Sequence, residues 1–153
     1  MSFDPIRSTP AGYWRFAAQY FHAAQAVKEV RKQQLAMPAL QLYGQSIELA
    51  LKAFLLKRGT SLSDVNKLRH KLTEILALAR RRRLGTEVKL NQHDLALIQL
   101  LSENYSTHRF RYIVSGRMQI PQLEFIAPIC EHLIAGLEQY CTGRSWGLYR
   151  RHD

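Results

Sequence analysis

The chain is poor in the residues that staple or punctuate a fold. It has two cysteines, five prolines and eight glycines in 153 residues. Cys130 and Cys141 fall on one predicted helix, about 16 Å apart at ~1.5 Å rise per residue, whereas a disulfide needs Cα atoms within about 7 Å. The expectation is two buried free thiols and a cytoplasmic setting. No apolar run approaches the roughly 20 residues that span a bilayer. The opening stretch MSFDPIRSTPAGYW has no basic region followed by an apolar one, which argues against a signal peptide. No two histidines stand at metal-ligand spacing and the cysteines form no C-x-x-C pair, so neither a metal nor any other cofactor is expected. A glycine-rich phosphate loop and a G-x-S-x-G elbow are both missing. There is no internal repeat, and no biased segment beyond one run of arginines.

Acidic residues are also scarce. Twelve Asp and Glu face 22 Lys and Arg, a formal charge of +10. Such a balance favours acidic partners: nucleic acid, nucleotides or an anionic surface. The length suits one domain with a full core, and the apolar share is ordinary for a globular protein.

What is present is helical periodicity. Leu42 to Gly59 reads as a helix apolar over most of its circumference, through Leu42, Tyr43, Ile47, Leu49, Ala50, Leu51, Phe54 and Leu55. Such a helix is usually central to a bundle. Gln41, Gln45, Glu48 and Lys52 share its one polar face. Glu48 precedes Lys52 by one turn, the favourable order; if the pair is buried, neighbouring helices must supply partners for it.

Around this helix the rest of the chain falls into order. Residues 1–10 read as a flexible lead-in, and Ala11 to about Gln34 as a first helix with Trp14, Ala17, Phe21, Ala24 and Val27 on one stripe. Gly59 ends the central helix as a glycine just past a helix does. Ser61 to Lys67 reads as a connection with one helical turn. A third helix starts near Arg69 or His70, buries Leu72, Ile75, Leu76 and Ala79, and ends in Arg80, Arg81, Arg82 and Arg83 before Gly85. Asn91 with Asp94 makes a partial capping box for a fourth helix reaching about Ser106. His108 to Ile120 breaks the pattern and suggests an irregular loop or small hairpin. Pro121 opens the last helix, where Leu123, Ile126, Cys130, Leu133, Leu137 and Tyr140 keep a regular apolar stripe and Pro128 predicts a kink rather than a break. Residues 142–153 form a basic tail. The expected fold class is all-α: an up-down helical bundle of about five helices, one domain over residues 11–141.

The segment SIELALKAFLLKRG, a short gap, then LRHKLTEILALA resembles the core of the HEPN domain superfamily (higher eukaryotes and prokaryotes nucleotide-binding domain). The residues that carry the resemblance are Glu48, Lys52, Gly59, His70 and Leu72, and later Tyr105, Arg109, Arg111 and Tyr112. It covers roughly residues 12 to 140. The resemblance implies a HEPN-like bundle, dimerisation, and roles in toxin–antitoxin, phage-defence or nucleotidyltransferase-partner systems. Ribonuclease members carry an arginine, four to six residues, then a histidine on one helix. The literal match here is Arg15 with His22, on the first helix, whereas the family places its motif on a later one.

The candidate binding constellation is basic and aromatic: Arg69, His70, Tyr105, His108, Arg109, Arg111 and Tyr112. Arginine grips phosphate bidentately, tyrosine can stack on a base, and a histidine can move a proton near neutrality. The structural alternative is that His70 packs the third helix start while Arg109 or Arg111 pairs with Glu48. Arg80 to Arg83 add either a phosphate-backbone contact or a solvated helix end. Three functions follow from these residues together with what the resemblance implies. The first is an RNA- or nucleotide-binding domain acting through a basic face. The second is a metal-independent endoribonuclease using Arg15 and His22, or else His70 or His108 with Arg109. The third is a non-catalytic subunit for a nucleotidyltransferase or antitoxin partner. A homodimer is expected through the last helix or the aromatic-rich first one, with no membrane partner.

Overall fold

In a computed structural model, residues 8–31, 36–107 and 120–144 are described. Among them the chain is all-helical, with α1 (Pro10–Arg31), α2 (Ala36–Lys57), α3 (Leu62–Lys67), α4 (Leu72–Arg81), α5 (Gln92–Tyr105) and α6 (Leu123–Thr142), and a short 3-10 turn at Leu84–Thr86. The expected lead-in up to residue 7, the His108-to-Gln119 part of the irregular segment and the tail from residue 145 lie outside the described residues.

α2 packs against each of the other helices, α1 most extensively. Its sequence requires this. A helix apolar on most faces needs apolar neighbours on most sides, and Leu40, Tyr43, Ile47, Ala50, Leu51, Phe54 and Leu55 are all fully buried. Trp14 on α1 fills the gap towards α6 and donates its indole N–H to the Ile134 carbonyl at 2.9 Å.

The helix ends follow local chemistry. Pro10 belongs to α1 rather than preceding it. Its fixed φ suits a first helical position, and Thr9 caps the turn by accepting from the Gly12 N–H at 3.0 Å. Gly59, at φ +99°, closes α2 with a pair of bonds: its own N–H to Leu56 O at 3.1 Å and Thr60 N–H to Leu55 O at 3.0 Å. α5 begins with the full reciprocal box. Asn91 Oδ1 accepts from the Asp94 N–H at 2.8 Å, and Asp94 Oδ2 from the Asn91 N–H at 3.0 Å. α6 runs unbroken through Pro128 and stops at Gly143, φ +72°.

Two expectations are corrected. The segment after Gly59 is a true short helix, α3, capped by Ser61, so six helices stand where about five were expected. α4 begins at Leu72, because Arg69 adopts a left-handed φ of +49° that no helix interior accepts. The α4 start has no cap of its own. α5 supplies it: Ser106 Oγ accepts from the Leu72 N–H at 3.4 Å and Ser102 Oγ from the Thr73 N–H at 3.3 Å.

The α6 stripe Leu123, Ile126, Cys130, Leu133 and Leu137 is buried inside this fold, so it is not available as a dimer face. Both cysteines are free and buried. The Cys130 thiol donates to Ser46 Oγ at 3.1 Å, and the Ser46 hydroxyl donates to Ala17 O at 2.6 Å, tying α6 to α2 and α1. Burial pushes both thiols up to about 12 from an ordinary value of 9.0. Unfolding above that ordinary value therefore releases protons. The thiols' share of stability is complete below about pH 9 and is lost as pH rises towards 12. Native protein at neutral pH is expected to resist thiol reagents, both cysteines reacting only in denaturant, as a timed alkylation followed by mass spectrometry reads out. No helix among the described residues is long and apolar enough to cross a membrane.

Candidate functional site: the Glu48 corner and the arginine turn

The polar face of α2 meets the ends of three other elements at Glu48. This carboxylate is 5% exposed. Its Oε1 accepts from the Tyr105 hydroxyl of α5 at 2.7 Å and from His70 Nδ1 at 2.8 Å; its Oε2 accepts from Lys52 Nζ at 3.0 Å. A carboxylate offers about four acceptor sites, and three donors fill most of them, as a buried carboxylate requires. Lys52, also buried, spends a second N–H on the Arg69 carbonyl at 2.6 Å. That bond holds the left-handed Arg69 in place. The Ser106 hydroxyl donates to the His70 carbonyl at 2.9 Å and fixes the next residue. The α3–α4 turn is thus pinned from α2 and from α5.

The result for His70 is a set tautomer. With Glu48 Oε1 as the acceptor, Nδ1 carries the hydrogen. The ring stands edge-on to Tyr105, centroids 6.3 Å apart, with the side chain about half exposed. Tyr13 of α1 also senses this corner. Its hydroxyl is pushed up first by burial and then by the Glu48 charge.

Tyr105 is not a stacking platform. It is 2% exposed and packs against α2 at Gly44, where a Cβ would stand 2.5 Å from its Cδ2. Gly44 escaped the sequence reading, although a glycine inside a helix costs about 1 kcal/mol against alanine and therefore calls for a packing reason. Of the remaining constellation, Arg69 is exposed beside His70, whereas His108, Arg109, Arg111 and Tyr112 lie outside the described residues. Arg15 and His22 are both exposed on α1, roughly 10 Å apart along its axis.

Comparison with protein-family models, with curated proteins and with solved structures yields no match to this chain. The geometry therefore has to carry the functional argument alone.

The arginine run lies at the other end of α4, roughly 15 Å from His70 along the helix. Arg58, also missed in the sequence, organises it. Its Nε donates to Arg82 O at 3.0 Å, Nη1 to the Tyr140 hydroxyl at 3.0 Å, and Nη2 to Thr86 Oγ1 at 2.6 Å and Arg83 O at 3.2 Å. Glu87 stands 3.9 Å from the same Nη2. Arg82 returns the favour, donating to the Arg58 carbonyl at 2.7 Å at the end of α2. Arg58 and Arg82 thus build the turn. Arg80, Arg81 and Arg83 are exposed, and among the described residues no carboxylate pairs with them. Arg58, Arg81, Arg82, Arg83 and Thr86 line an open cleft of about 450 Å³.

Proposed function

We propose that this is an RNA- or nucleotide-binding helical domain of the HEPN type, acting through its basic face in a cytoplasmic defence or toxin–antitoxin setting. The observation that supports it best is the division of labour among the arginines. Arg58 and Arg82 are consumed by structure, while Arg81 and Arg83 present uncommitted guanidinium groups at one cleft and Arg80 another at a second. Unpaired surface arginines raise self-repulsion in a chain already at +10. Phosphate oxygens, which accept bidentately, relieve it. Homodimerisation belongs to the same proposal, through a surface other than the consumed α6 stripe.

The test is binding of a single-stranded RNA oligomer, followed by fluorescence anisotropy over a salt series. Wild-type affinity is expected to fall steeply with salt, as counterion release requires. Replacing Arg80, Arg81 and Arg83 together by alanine should weaken binding about tenfold or more at low salt and flatten the salt slope, by up to about 0.7 per lost phosphate contact on a single strand. These side chains make no buried contact, so the thermal midpoint should not move. Unchanged affinity and slope in that variant would refute the assignment.

A further inference from the structure

The opposite end of α4 carries a second feature that the arginine turn does not explain. Along α3 and the turn that follows it lies an open, shallow cleft of about 580 Å³ lined by Leu62, Ser63, Asn66, Lys67 and Arg69. The two charges in its wall are both positive, and Ser63 and Asn66 add polar groups. Lys67 has one carboxylate near it, Asp64 at 3.6 Å, in a pair that is mostly exposed and so held weakly. Arg69 has no carboxylate partner among the described residues.

Three observations make this corner more than a charged patch. Arg69 sits at φ +49°, a region that favours glycine, and such strain gathers at sites where a side chain must be presented in one direction. The strain is maintained by a buried group, Lys52, which grips the Arg69 carbonyl from inside while Arg69 lines the cleft. The adjacent His70 is oriented by a buried carboxylate through Nδ1, while its ring stays half exposed. Orientation of an exposed imidazole by a buried acid is more than a helix start requires, because the α4 N–H groups are already capped by Ser102 and Ser106. Neither other cleft has a histidine held by a buried carboxylate beside it: one belongs to the Arg58 scaffold, and the third is lined by Arg80, Leu84, Gly85, Val88, Lys89 and Leu90.

We propose that the α3–α4 corner is a phosphomonoester site, in which Arg69 and Lys67 take the phosphate oxygens and His70, oriented by Glu48, borders the same phosphate. A phosphomonoester fits because its compact terminal oxygens suit two cations that line one cleft. A phosphodiester within a strand is met as well by the open arginine turn. The site stands independently of the arginine run and goes beyond it.

The experiment is an NMR titration of the whole chain, following the His70 ring signals, identified by their loss in His70→Gln. The probes are adenosine 5′-monophosphate, inorganic phosphate and adenosine. Saturable shifts with the first two and none with adenosine are expected. Arg69→Gly removes the guanidinium while suiting the left-handed backbone, so the variant folds at least as well; it should bind the monophosphate about tenfold or more weakly. Lys67→Met, at an exposed position, should weaken it less. Equal response to adenosine and its monophosphate, no response to either phosphate, or unchanged binding in Arg69→Gly would overturn the site. The alanine variant at Arg80, Arg81 and Arg83 should keep the full response, which separates this site from RNA binding at the arginine turn. An RNA with a 5′-phosphate, compared with the same RNA ending in a hydroxyl, tells the source of the phosphate. A preference for the phosphorylated strand over free nucleotide assigns the site to an RNA end, and the reverse assigns it to a mononucleotide.

Discussion

Glu48→Ala is expected to destabilise the protein by about 3–5 kcal/mol, measured by urea unfolding at neutral pH. The change leaves the Lys52 ammonium buried without its carboxylate partner, and it removes the Oε1 to which the Tyr105 hydroxyl and His70 Nδ1 donate. Lys52→Met should cost less than Glu48→Ala, because Tyr105 and His70 still donate to the carboxylate. Putting both charges out together, as Glu48→Leu with Lys52→Met, should cost less than the sum of the single changes, since no unpaired buried charge then remains. A Glu48→Ala variant as stable as wild type, or strict additivity of the pair, would show that the corner is wet and the charges solvated. In Lys52→Met the loss should also reach the surface, because the strained Arg69 loses the bond that holds its carbonyl.

Gly44→Ala is the second large effect, and its sign is informative. In an unobstructed helix the change would stabilise by about 0.8–1 kcal/mol, because glycine is the poorer helix former. Here the new Cβ would lie 2.5 Å from Cδ2 and 2.8 Å from Cε2 of Tyr105, a ring buried to within 2% and unable to swing into solvent. Either α5 backs away from α2 or the ring leaves Glu48. Overpacking of this kind costs about 1–3 kcal/mol. Denaturant unfolding should therefore find the variant less stable than wild type. The His70 ring signals should move in the same variant, because Tyr105 and His70 share one oxygen of Glu48. A variant that gained stability would mean the two helices separate freely at this crossing.

Local chemistry could be read from the chain with good accuracy. Asn91 and Asp94 announced the start of α5, Gly59 the end of α2, and the Glu48–Lys52 spacing both the ion pair and its need for further partners. These are short-range facts, set by groups within a turn of one another. The partners themselves were not legible. His70 and Tyr105 reach Glu48 from 22 and 57 residues away, and nothing in their local sequence points at α2. Tyr105 illustrates the error this invites. Near a basic segment, a tyrosine suggests base stacking, yet the single glycine Gly44 on another helix leaves room for it in the core.

Arg58 and the α6 stripe make the same point from two sides. A lone arginine before a glycine carries no pattern, and its role arose once the Arg82–Thr86 turn folded back over the end of α2. A regular apolar stripe says that a face is buried without saying against what, and here α1 and α2 of the same chain cover it. The sequence by itself therefore determined the helical class, the central place of α2, the helix caps and the excess of positive charge, because each depends on periodicity, on neighbours within one turn, or on composition. The tertiary structure alone decided which residues surround Glu48, which arginines are spent on the scaffold and which remain uncommitted, because those outcomes depend on contacts between segments that only packing brings together.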